Sequence, residues 1–194
     1  MSKIFRSHFV DSVVDIHRNL DNIVIVGAMA NNFLIHRGNQ IGKSIKEEKC
    51  DTIINEIFET SKNYPCEITY PEDVLVGKNI DDISQTKELN KIKNDDLILD
   101  IGPRTVNKIK NIIEKSETVL WNGPAGYFEN PNFANGSYEI ARAIIKQNKD
   151  RSIYSVVGGG DTIAVINQIS AIEDFNFVST AGGAFLEYLE GKEL

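Results

Sequence analysis

Short runs of consecutive apolar residues alternate along this chain with longer stretches in which apolar residues recur every three or four positions. The first pattern predicts buried strands and the second predicts helices with one inward face. Strands are expected at residues 23–26, 97–101, 118–121, 152–157 and 175–178, with shorter extended pieces at 68–70 and 74–76. Helices are expected over residues 31–36, closed by Gly38; over 46–62, with Cys50, Ile53, Ile54, Ile57 and Phe58 on one face; and over 105–115, with Val106, Ile109, Ile112 and Ile113 inward. Further helices begin near Ser137, with Ile140, Ala141, Ile144 and Ile145 inward, and at Thr162, with Ile163, Ile166 and Ile169. Val10, Val13, Val14, Ile16 and Leu20 outline another helical face near the start. Residues 78–96, rich in Lys, Asp, Asn and Glu, read as a polar surface excursion.

Strands alternating with helices predict an α/β fold: a three-layer, Rossmann-like parallel sheet with helices on both faces. No fixed-period repeat or low-complexity linker divides the chain, so residues 1–194 read as one domain with an atypical segment at 1–20. Glycine-bearing turns recur where strands end, at Gly27, Gly102, Gly123, Gly158 and Gly182. Open α/β sheets bind ligands at those carboxyl ends. The run Gly158-Gly159-Gly160-Asp161-Thr162 joins a strand to a helix. There, missing Cβ atoms let backbone N–H groups approach an anion, and the helix start presents unpaired N–H groups. Asp161 adds one hard oxygen suited to magnesium carried on nucleotide phosphates. Taken alone, the run fits a plain βα turn equally well, since it is neither the Walker pattern nor the dinucleotide fingerprint.

Composition narrows the partners. The 194 residues are 41% hydrophobic and 25% charged, enough for one sizeable core. A net charge of −7, with both signs mixed along the chain, argues against nucleic acid or an anionic membrane as main partner. Two cysteines, Cys50 and Cys66, and three histidines, His8, His17 and His36, show no zinc spacing. Without a membrane-spanning stretch or secretory signal, a cytoplasmic location is expected. Cys50 and Met29 read as core residues and the histidines as surface residues, while Trp121 and Phe128 fit core packing or site lining equally. Lys43 reads as fixing a loop, and Glu129 by default as a rim carboxylate.

Three motifs, in order, make the pattern specific: Trp121-Asn122-Gly123-Pro124-Ala125-Gly126-Tyr127-Phe128-Glu129, then Gly158-Gly159-Gly160-Asp161-Thr162, then Ser179-Thr180-Ala181-Gly182-Gly183-Ala184. With Gly27-Ala28-Met29-Ala30-Asn31, Ile41-Gly42-Lys43-Ser44 and Leu99-Asp100-Ile101-Gly102-Pro103, the set resembles the carboxy-terminal, nucleotide-binding half of phosphoglycerate kinases from about Asp21 onward. The resemblance implies that Gly159, Gly160, Asp161 and Thr162 hold the nucleotide phosphates, with Asp161 contacting magnesium. It implies that Glu129 bonds the ribose, that Asn122 lies near the phosphates, and that Leu99 lines the adenine pocket. Gly182 and Gly183 would face the transferring phosphoryl group.

Departures from the family pattern carry expectations too. The family's half opens with a strand and a lysine-bearing glycine turn, of which Met1-Ser2-Lys3-Ile4-Phe5-Arg6-Ser7-His8 keeps a trace, and Val26 stands where a glycine is usual. The arginines, at positions 6, 18, 37, 104, 142 and 151, form no motif like the family's basic cluster for the phosphoglycerate. The resemblance implies ATP or ADP and Mg²⁺ as ligands, and transfer of a phosphoryl group between 1,3-bisphosphoglycerate and ADP. A chain holding one half is expected to be inactive alone. The alternatives are a non-catalytic nucleotide-binding module, a gene remnant, or a half complemented by a separate amino-terminal chain.

Overall fold

The computed structural model describes residues 20–180 apart from 49, 64 and 152. Eight strands and five α-helices follow one another among these residues: β1 (Asn22–Val24), α1 (Gly27–His36), α2 (Asp51–Ser61), β2 (Glu67–Thr69), β3 (Asp73–Gly77), β4 (Gln85–Glu88), β5 (Leu97–Ile101), α3 (Pro103–Lys115), β6 (Thr118–Asn122), α4 (Asn135–Arg151), β7 (Tyr154–Gly158), α5 (Gly160–Gln168) and β8 (Phe177–Ser179). The fold is α/β with helix-flanked parallel sheets, as the alternation of patterns predicts. The helical face expected at residues 10–20 lies almost wholly outside the described residues.

The strands group as β1-β2, β4-β3-β5 and β6-β7-β8. The first and third sheets are parallel, whereas β3 pairs antiparallel with both β4 and β5. That antiparallel unit corrects the expectation of a parallel sheet throughout, and it corrects the reading of residues 78–96 as a surface excursion. Asp96 explains the difference. Its carboxylate is buried and bonded by Lys78 Nζ at 2.6 Å, Lys87 Nζ at 2.7 Å and the Lys93 amide at 2.7 Å, so the lysines fold back onto the chain. Its carbonyl accepts from the Lys43 amide at 2.7 Å, and Ser44 Oγ accepts from the Ile98 amide at 2.8 Å, which anchors the turn at 41–44 to the same unit.

Two large cores sit on opposite faces of β1. Val24 and Val26 pack toward a cluster built from Val106, Ile109 and Ile113 of α3, Ile140 and Ile144 of α4, Val165 and Ile166 of α5, and Trp121 and Val157 of the third sheet. Ile23 and Ile25 point the other way, onto Ala30 and Phe33 of α1 and Ile54 and Ile57 of α2. This period-two division is what a strand between two helical layers requires. Trp121 and Phe128 are buried in the first core, and Met29 packs on the second. His36 stacks on Phe58 with centroids 5.6 Å apart.

Helix ends follow local chemistry more closely than apolar spacing. Helix α1 begins at Gly27, four residues before the predicted start, because Gly27 turns the chain at φ +64° directly after the strand. Helix α2 begins at Asp51, so Cys50 occupies the flanking position and not the helix face. Its thiol is pushed up by burial and then by Glu47 and Asp51, and that of Cys66 by burial and then by Asp21, which keeps both protonated and unreactive. Helix α3 starts at Pro103 and is capped from another element: Asp73 accepts from the Arg104 amide at 3.0 Å and the Thr105 amide at 2.8 Å.

Candidate functional site

Parallel pairing places the carboxyl ends of β6, β7 and β8 side by side, with Asn122, Gly158 and Ser179 in one register row. Directly beyond that row the chain turns through Gly159, at φ +89°, into α5. The Gly159 amide donates to the Ser179 carbonyl at 3.0 Å, which ties the turn to the neighbouring strand. A Cβ on Gly159 would lie 2.7 Å from Asn122 Oδ1, whereas one on Gly160 would meet nothing within 4 Å. Thus Gly159 is required by conformation and by Asn122, while Gly160 borders open space.

The first turn of α5 carries Asp161, and no side chain caps the helix start. The N–H groups of that turn are therefore available to an anion, and the helix dipole favours one. Asp161 is exposed and forms no ion pair with the described residues. Thr162 is placed differently from its neighbours: it is fully buried, and its hydroxyl accepts from the Gly123 amide at 2.7 Å. It locks the loop after β6 onto α5, which positions Asn122 over the turn.

The same loop carries the second group of predicted residues. The Tyr127 amide donates to the Leu99 carbonyl at 2.6 Å, joining the end of β5 to the segment that bears Glu129. Leu99 is half-buried and Glu129 is exposed. Gly182 and Gly183 lie outside the described residues. Lys43 is exposed, and its backbone rather than its side chain makes the described bond. No group of three His, Cys, Asp or Glu among the described residues could hold a metal, and no helix among them is long and apolar enough to cross a membrane.

Asp100, which stands inside a quoted motif and received no role, proves central to this region. It is buried, accepts from the Gly136 amide at 2.8 Å and the Ile101 amide at 2.8 Å, and has no cationic partner. Burial pushes its carboxyl up to about 7, partly offset by the Gly136 and Ile101 amides. Cβ atoms on Gly126 or Gly136 would collide with this carboxylate. Both glycines therefore let backbone close around it, fixing the two ends of the segment that bears Glu129. A lone acid in an apolar strand followed by two distant glycines is the signal that could have found it.

A phosphoglycerate kinase family model matches residues 7–192, which includes residues upstream of the quoted motifs. The chain belongs to the phosphoglycerate kinase family. It is 40% identical over 187 residues to the phosphoglycerate kinase of Wolbachia pipientis subsp. Culex pipiens, covering 95% of this chain and 47% of that protein. Against the phosphoglycerate kinase of Sphingopyxis alaskensis it is 40% identical over 191 residues, covering 95% of this chain and 48% of that protein. Among solved structures it resembles phosphoglycerate kinase from Coxiella burnetii, with a TM-score of 0.86 and 33% identity over 96% of this chain and 47% of that one. Phosphoglycerate kinase from Pyrococcus horikoshii gives a TM-score of 0.72 at 29% identity, over 95% of this chain and 47% of that one. The chain thus spans about half the length of the curated relatives it matches.

One prediction separates the two glycines of the turn. Gly159→Ala is expected to lower the unfolding free energy by about 2 kcal/mol, since the residue must stay left-handed and Asn122 must move. Gly160→Ala should stay within about 0.5 kcal/mol of the parent. Urea midpoints of the two variants measure the contrast, and equal losses would contradict it.

Proposed function

We propose that this chain is the nucleotide-binding half of a phosphoglycerate kinase, taking MgADP or MgATP at the carboxyl ends of β6, β7 and β8. The supporting observation is the uncapped start of α5, with Gly160 facing open space and Asp161 exposed, set in the same row as Asn122. The phosphates would lie against the Gly160 and Asp161 amides, with Asn122 beside them. Asp161 would offer one oxygen to a magnesium ion, which when bound neutralises phosphate charge. Leu99 would border the base and Glu129 the ribose, positioned by the Tyr127–Leu99 bond. Gly182 and Gly183 would complete the phosphoryl-transfer wall.

The reaction we assign to the assembled enzyme is phosphoryl transfer between 1,3-bisphosphoglycerate and ADP, in glycolysis. In-line transfer requires both substrates held in one closed cleft. This chain, as the nucleotide half, supplies one wall of it and is inactive without a complementing amino-terminal half. The setting would be cytoplasmic.

Calorimetry with MgADP tests the assignment. The chain should give a saturating isotherm, and Asp161→Ala should weaken it at least about tenfold, the loss of one charge-assisted contact of about 1.4 kcal/mol. The exposed position of Asp161 leaves the urea midpoint unchanged, so an unaltered isotherm in the folded variant would refute its role. Absence of binding by the parent would favour the reading of a remnant.

A further inference from the structure

The sheets β1-β2 and β6-β7-β8 run as two separate parallel ladders, yet they share one layer. Val24 and Val26 of the first, and Trp121 and Val157 of the third, pack onto the same core. The Gly27 amide, just past β1, donates to the Ala125 carbonyl at 3.2 Å, just past β6, so the two strands point the same way with their carboxyl ends together. No ladder joins β1 to β6 among the described residues. Each is therefore an open edge turned toward the other, in the middle of the layer.

Alternation identifies the groups on those edges. Ile25 donates to Thr69 and the Asp21 carbonyl accepts from Glu67, so odd residues of β1 face β2 and the N–H and C=O groups of Val24 and Val26 face outward. The Glu117 carbonyl accepts from Tyr154, so Thr118, Leu120 and Asn122 of β6 likewise face away from β7. Leu120 is also 38% exposed, although it sits in the middle of a strand otherwise built for burial. A pair of facing, parallel edges accepts one extended segment parallel to both. Such a segment would have the Val24 and Trp121 core under one face and the Ile23 and Leu120 side chains flanking the other. A strand buried on both faces must be apolar at consecutive positions.

We infer that the slot between β1 and β6 binds a fully apolar, extended segment of about five residues supplied by a second polypeptide. The chain's own flanks lack such a segment: neither residues 1–19 nor residues 181–194 contain four consecutive residues from the apolar set Ala, Val, Ile, Leu, Met, Phe, Trp, Tyr and Cys. The inference rests on strand geometry alone and is independent of the nucleotide reading. It does give the slot a link to the candidate site, because the outermost edge group on β6 belongs to Asn122.

The test is amide hydrogen exchange on the full chain, without nucleotide, with and without the peptide Lys-Lys-Val-Ile-Val-Ala-Val-Lys-Lys. The peptide should slow exchange at Val24, Val26 and Leu120 by about tenfold or more, as new ladder bonds form. The same peptide with its central amides N-methylated should leave them unchanged. Leu120→Pro removes an N–H that serves only the open edge, so it should retain the parent's thermal midpoint and lose the protection on β6. Four outcomes would overturn the inference: no protection, equal protection at Ile68 and Val178 on the outermost edges, protection by the N-methylated peptide, or full protection of Val24 and Leu120 before any peptide is added.

Discussion

Replacing Asp96 by alanine is expected to lower the unfolding free energy by about 4 kcal/mol, because two lysines and one amide lose a shared buried acceptor. Lys87 is the more important of the two cations: its side chain is 10% exposed, against 48% for Lys78, so it is left charged in a low-dielectric site. Asp95→Ala supplies the contrast. Asp95 also pairs with Lys78, at 2.8 Å, but is 58% exposed, and its loss should cost under about 1 kcal/mol. Burial alone would push the Asp96 carboxyl up, yet the bonds from Lys78, Lys87 and the Lys93 amide outweigh it and hold the group well below the usual carboxylate range. A folded-state value below the unfolded one means stability present above about pH 4 and lost as pH falls through the folded value. Urea denaturation at pH 7 and pH 3 should thus show the parent and Asp96→Ala converging at the acid end, and a constant gap would contradict the account.

The elements around the candidate site were legible because their signals are local. Strands β6 and β7 are β-branched and aromatic runs, and α3 carries an unbroken apolar face, so spacing alone located them within two residues. Residues 78–96 were not legible for the opposite reason. Lysines and aspartates look solvated in a sequence, and only the partner across the antiparallel unit shows that Asp96 is inside. Helix α4 runs on through Gln147 to Arg151, residues whose polarity suggests a loop, since propensity and packing of Ile140 and Ile144 carry the helix past its apolar face. At the site, the glycine turn and Asp161 could be placed from motif order, but the buried state of Thr162 could not. Whether a hydroxyl points at a ligand or at the Gly123 amide is decided by the loop after β6, which sequence spacing does not fix. Asp100 escaped notice because a single acid at the end of an apolar run reads as a strand terminus.

Asp100 should make the chain less stable as pH rises from about 4 to about 7, opposite in sense to Asp96. Its folded-state value, near 7, lies above the ordinary carboxylate value, since burial disfavours the charge and no cation offsets it. The contribution to stability is then fully present below the unfolded value and disappears as pH climbs through the folded one. A displacement of this size corresponds to roughly 3–4 kcal/mol between the two limits. Asp100→Asn should abolish that slope while lowering stability at every pH, because an amide presents one acceptor to the Gly136 and Ile101 N–H groups where the carboxylate presents two. The ¹³C shift of the Asp100 carboxyl, followed by NMR, should move near pH 7; a midpoint below 5 would remove the burial argument. Since Gly126 and Gly136 close on this carboxylate, its ionisation also loads the segment that carries Glu129. MgADP affinity should therefore fall above pH 7 in the parent and stay flat over the same range in Asp100→Asn. That pairing of a stability slope with an affinity slope, both lost in one variant, distinguishes a titrating keystone from a merely buried acid.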